Sequence, residues 1–65
     1  EDAEDFDKMF IDMMIPHHES AIDMAKEIQQ TTERSELQQL AAEIITAQQT
    51  EIDQMKEWRA EWFGE

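Results

Sequence analysis

The sequence predicts an all-α protein, a hairpin of two long helices over about residues 6–29 and 36–63, which pairs with a second copy as a four-helix bundle. Three observations carry that expectation. Apolar residues recur in steps of three and four from Phe6 to Ile28 and again from Leu37 to Trp62. Glycine and proline, the punctuation of helices, each occur once in 65 residues. The first helix carries two apolar stripes, more than one partner helix covers.

Residues 1–7 hold five carboxylates and almost no apolar surface. They are expected to fray, or to lead with negative charge into a helix N-terminus, with Asp5 or Asp7 as N-cap. From Phe6 one face then runs through Phe10, Met13, Met14, His17, Ala21, Met24 and Ile28. Pro16 falls inside this helix, where it removes one backbone hydrogen bond and presses on the carbonyl of Asp12. It could instead open a new helix at its first position. The face passes residue 16 without a change of phase, which favours one helix kinked at Pro16.

Residues 29–34 lack periodicity and read as the turn. Ser35 and Gln38 form a capping-box pattern that opens the second helix, and Gly64 closes it after Phe63. Its seam steps through Leu37, Ala41, Ile44, Gln48, Glu51, Met55, Trp58 and Trp62. Gln48 and Glu51 interrupt that seam with polarity, and a buried carboxylate is costly unless something pairs with it. Folding about a turn centred near residue 32 brings His17 level with Ala47 and Gln48, Met13 with Glu51, and Met9 with Met55. The expected result is a layer of Met13, His17, Gln48 and Glu51, with Glu51 buried against His17. Trp58 and Trp62 are expected to close the open end against Phe6 and Phe10. The second stripe of helix one, Ile11, Ile15, His18, Ile22 and Ala25, is then left for the other copy of a homodimer.

Composition excludes several partners. Seventeen acidic against five basic residues leave a formal charge of −12, with no stripe of Lys or Arg to meet nucleic acid or an anionic membrane. No apolar run approaches the length of a membrane-spanning helix. The opening on Glu1, without a Met or a basic signal region, reads as a processed or trimmed chain. Cysteine is absent while methionine occurs five times, which suits an oxidising compartment and also many cytosolic proteins. With no disulfide available, so short a chain needs a metal, a partner or a second copy of itself for stability.

Chemistry concentrates in the segment MMIPHHESAIDM, residues 13–24. Met13 lies one turn before His17 and Met14 one turn before His18, so each imidazole has a thioether over it. Thioether sulfur and neutral imidazole nitrogen are donors that suit Cu(I) without a thiolate, and they favour it over Zn(II) or Mg(II). Met13, Met14, His17 and His18 are therefore the candidate copper ligands, with Met9 as a further donor and Glu51, Gln48 and Met55 as supporting residues. Because the imidazole must be neutral to bind, acid should weaken the site.

Plainer explanations exist for each residue. A histidine on an apolar helical face is more often a satisfied core residue than a ligand, and methionine at helical spacing is usually core filler, above all at Met24 and Met55. A structural or interaction bundle with a buried His/Glu pair and no metal is the alternative. An enzyme is not expected, because no Ser or Cys nucleophile stands beside His17 and no Gly-rich loop is present. A carboxylate-bridged di-iron centre would need Glu-x-x-His motifs, and the sequence has none.

At FDKMFIDMMIPHHESAIDMAKE and AQQTEIDQMKEW the sequence resembles the DUF305 family of bacterial extracytoplasmic proteins over nearly its whole length. The resemblance implies a ferritin-like four-helix bundle, a periplasmic or secreted location, and a link to copper binding and tolerance seen in some members. It implicates Met13, Met14, His17 and His18, with Gln48, Glu51 and Met55 facing them from helix two. Many members carry the motif twice in a domain about double this length. One copy here implies half a bundle or a fragment of a longer protein, in agreement with the expected homodimer.

Overall fold

The acidic lead is helical from Ala3 onward, and the expected fraying at Glu1 and Asp2 lies outside the described residues. In the computed structural model, which describes residues 3–64, α1 spans Ala3–Thr31, and Glu4 and Asp5 sit in its first turn, where carboxylates complement the positive end of the helix dipole. Asp5 and Asp7 are therefore inside the helix, and any N-cap of α1 lies outside the described residues. The helix runs on through Pro16 as a single element, as the unbroken phase of its apolar face implied. At the far end the Thr31 hydroxyl donates to the carbonyl of Glu27, a back-bond that lets a β-branched residue finish the helix.

Helix α2 spans Ser35–Phe63, so the connection is shorter than the polar stretch suggested. Arg34, in an extended conformation, precedes the helix without a side-chain cap. The expected capping box does not form. Ser35 turns toward the Glu36 carboxylate, and Gln38 donates its amide to the carbonyl of Thr32, tying the helix to the turn instead. The C-terminus follows the sequence closely: Gly64 takes the left-handed conformation at φ 72°, and its N–H donates to the carbonyl of Ala60.

The two helices pack side by side into a rod measuring 48 × 18 × 14 Å. Ile11, His18, Ile22 and Ala25 of α1 bury against Ala41, Ile52 and Met55 of α2. Ile52 is only 1% exposed and anchors the seam; full burial of such a side chain stabilises by about 1.5–3 kcal/mol. This corrects the predicted packing. The stripe assigned to a second copy is the one that faces α2, while the stripe of Phe6, Phe10, Met13 and Met24 stays exposed. Branched isoleucines and small alanines let the helices approach closely, whereas the Phe and Met stripe, bulkier and more flexible, fills an intimate two-helix contact less well.

The register shifts with it. His18 meets Glu51, and Asp12 meets Arg59, so the hairpin is centred near residue 35 rather than 32. Trp58 and Trp62 do not plug the open end; they stack on each other with ring centroids 5.4 Å apart and planes within 4°, and remain partly exposed together with Phe6 and Phe10.

An ion pair between Arg59 and Asp12 crosses between the helices near the open end. The Arg59 Nε donates to the Asp12 carboxylate at 2.5 Å. That hydrogen bond holds the Asp12 carboxyl below its ordinary value of 3.8, against an opposing effect of desolvation and with help from the charges of Arg59 and Lys8. A lowered folded value means that the pair stabilises the fold above the ordinary carboxylate range and is lost as the pH falls through the folded value. Thermal melts of the native chain and an Asp12→Asn variant should therefore differ near pH 6 and converge in strong acid. A difference that stayed constant over that range would remove the pair as a source of stability.

Candidate functional site

His18 holds the best-defined side-chain geometry in the hairpin. It lies on the buried face of α1, 8% exposed, one turn after Met14. Its Nδ1 lies 2.9 Å from the carbonyl oxygen of Met14. A carbonyl only accepts, so Nδ1 carries a proton and donates it, and the ring is pinned in one orientation. Its Nε2 then points across to α2 and reaches Glu51 Oε1 at 2.5 Å. That distance marks a hydrogen bond between ring nitrogen and carboxyl oxygen, which ties the imidazole to α2.

Glu51 is the exposed member of the pair, with 58% of its side chain open to solvent. The arrangement differs from the predicted one in both respects: the partner is His18 rather than His17, and the carboxylate is not buried. Both differences follow from the packing phase, since successive residues of a helix are about 100° apart and only one of two adjacent histidines can face α2. His17 lies on the exposed side, its ring 6.2 Å from that of His18 and at 61° to it.

The pair forms the inner end of an apolar groove of about 430 Å³ that runs toward the open end of the hairpin. Met14 and Met55 bring their side chains to its lining, Phe10 and Ile11 form one wall, and Trp58 and Trp62 the other. Of the predicted site residues, the structure thus gathers Met14, His18, Glu51 and Met55. Met9, Met13 and His17 are exposed and do not line the groove, Met13 being 63% exposed. Gln48 is half-buried in the helix contact and does not line it. The sequence reading treated the tryptophans as a plug and missed them as a wall; their spacing, one turn apart with Glu51 a further two turns back on the same side of α2, is the signal that places them there.

Among the described residues no three His, Asp or Glu side chains stand close enough together to hold a metal ion, and no buried side-chain nitrogen or oxygen lacks a hydrogen-bond partner. The polar groups that line the groove are the His18 imidazole, the Glu51 and Asp7 carboxylates and the Gln54 amide, with the thioethers of Met14 and Met55 beside them.

Fold and site together define a small acidic helical module with a single His–Glu pair set in an apolar, methionine-lined groove. The chain belongs to the DUF305 family: the model described as "Domain of unknown function (DUF305)" matches residues 1–59. Among its relatives is "Uncharacterized protein L153" of Acanthamoeba polyphaga mimivirus, 47% identical over 49 residues, a match that covers 75% of this chain and 32% of that protein. The chain thus spans about a third of the length of the curated relative it matches. No solved structure matches it.

Proposed function

We propose that the chain binds copper(I) through His18 as a homodimeric helical protein of an extracytoplasmic compartment, serving copper binding or tolerance rather than catalysis. One observation carries the reading. The Nδ1 of His18 is committed to the Met14 carbonyl, the backbone anchor that typically orients a metal-binding imidazole, and this presents Nε2 to the groove where the Met14 and Met55 side chains lie. A bound copper(I) ion would be held by imidazole and thioether donors, which satisfy a soft monovalent cation without a thiolate. Glu51 would give up its bond to Nε2 and balance the cation's charge. Met13 and His17, both exposed, are the remaining donors of the signature, and Met9 is a further donor beyond it. The compartment rests on the family resemblance, with which the absence of cysteine is compatible.

The closed contact between Nε2 and Glu51 favours a second reading, in which the pair is a polar lock of a purely structural bundle and no metal enters. Competition against a chromogenic copper(I) chelator separates the two. The native chain should withdraw copper(I) from the chelator, and a His18→Ala variant should bind on the order of tenfold more weakly or worse, since even the loss of a residue that only supports a ligand costs that much. Equal binding by the native chain and a His17→Ala, His18→Ala double variant would remove the site, and no binding by either would leave the structural lock.

A further inference from the structure

The hairpin leaves one face largely apolar, with a His–Glu centre and with Asp7 and Gln54 as further polar residues toward the open end. In two antiparallel helices, residues one position before the buried seam turn to the same side of the pair. That side carries Phe6 to Ile28 on α1, with His17 midway, and Leu37 to Trp62 on α2, with Glu51 near the middle. Toward the turn, Met24, Ile28, Leu37 and Leu40 line a nearly wholly apolar depression; toward the open end lie Phe10 and the stacked tryptophans. Aromatic and aliphatic ends flank a polar centre.

Such a face is complementary to itself. A two-fold axis running along the rod sets α1 of each copy over α2 of the other, centre against centre and like end against like end. Burying that centre carries a cost unless the half-exposed Glu51 gains a donor in place of water. His18 occupies one carboxylate oxygen of Glu51, and a carboxylate accepts several bonds. His17 stands at the same level of the face, and no side-chain hydrogen bond of it is found among the described residues. It is the donor that a second copy brings to this place.

We infer that a second copy of the chain seats on this face and that His17 of each copy pairs with the partner subunit's Glu51, so that the His–Glu layer is completed only in the dimer. The inference rests on the homodimer reading above and adds the partner's register and the residues that fix it. An unrelated amphipathic helix would cover the apolar ends equally well but has no reason to carry a donor at the centre.

Sedimentation equilibrium of the metal-free chain tests it. The native chain should dimerise at micromolar concentration, and His17→Ala should weaken the dimer by on the order of tenfold, because a carboxylate in the interface loses its donor. His17 is exposed and alanine is the strongest helix former, so this variant keeps its hairpin, which circular dichroism verifies. A double-mutant cycle with Glu51→Gln should show the two effects to be non-additive. A native dimer unaffected by His17→Ala, or additive effects, would overturn the shared centre and leave the homodimer standing. A native chain that stays monomeric would overturn both. Because no metal is present, neither outcome depends on the copper reading.

Discussion

Replacing Ile52 by alanine should remove about half or more of the chain's stability, about 2–5 kcal/mol. Ile52 is the most completely buried side chain of the seam, and truncating a buried isoleucine costs about 2–5 kcal/mol in lost transfer energy and cavity. A chain of 65 residues without disulfides stands at the low end of the usual 5–15 kcal/mol of stability, so about half or more of its margin goes with one side chain. Glu43→Ala, at an exposed position of α2, should change stability by no more than about 0.5 kcal/mol. Urea titration at a fixed protein concentration, followed by circular dichroism, compares them. A midpoint for Ile52→Ala equal to that of the native chain would mean that the seam is wrongly phased.

The second large effect is an asymmetry between the partners of the polar pair. Glu51→Leu should destabilise by about 1–3 kcal/mol, because it strands the Nε2 of a buried ring. His18→Leu should shift stability by no more than about 1 kcal/mol in either direction, since leucine suits the apolar surroundings and the released carboxylate is already half in water. The same His18→Leu variant should lose copper(I) binding while keeping its helices, which separates function from folding. Chemical denaturation and chelator competition on both variants read the two consequences. The opposite ordering of stabilities would show that Glu51, and not His18, is the member held by the fold.

Sequence patterning revealed the elements better than their phase. Two helices, the passage through Pro16 and the Gly64 terminus follow from spacing and from the conformational demands of single residues, and each is local. The choice between the two stripes of α1 is not local. Phe6, Phe10, Met13 and Met24 on one side and Ile11, Ile15, Ile22 and Ala25 on the other are both apolar at helical period, and only closeness of packing against Ala41 and Ile52 decides which turns inward. Adjacent histidines carry the same ambiguity, so His17 and His18 exchange roles with the stripes. The turn is shorter than the polar stretch because Thr31 still belongs to α1 and Ser35 already to α2, and the rest of the register shift follows the choice of inward stripe, which sets His18 against Glu51. The requirement that Glu51 find a donor on α1 was legible from its interruption of the apolar seam, and it holds with His18 as that donor.

Ring-nitrogen NMR of the ¹⁵N-labelled chain, recorded before and after one equivalent of Ag(I) as a stable stand-in for copper(I), tests the central claim most directly. The anchored geometry predicts that His18 keeps its proton on Nδ1 while its Nε2 resonance shifts and couples to silver, because the Met14 carbonyl holds the first nitrogen and leaves the second for the metal. Ring nitrogens of His18 that are indifferent to Ag(I), with or without a response at His17, would contradict the account.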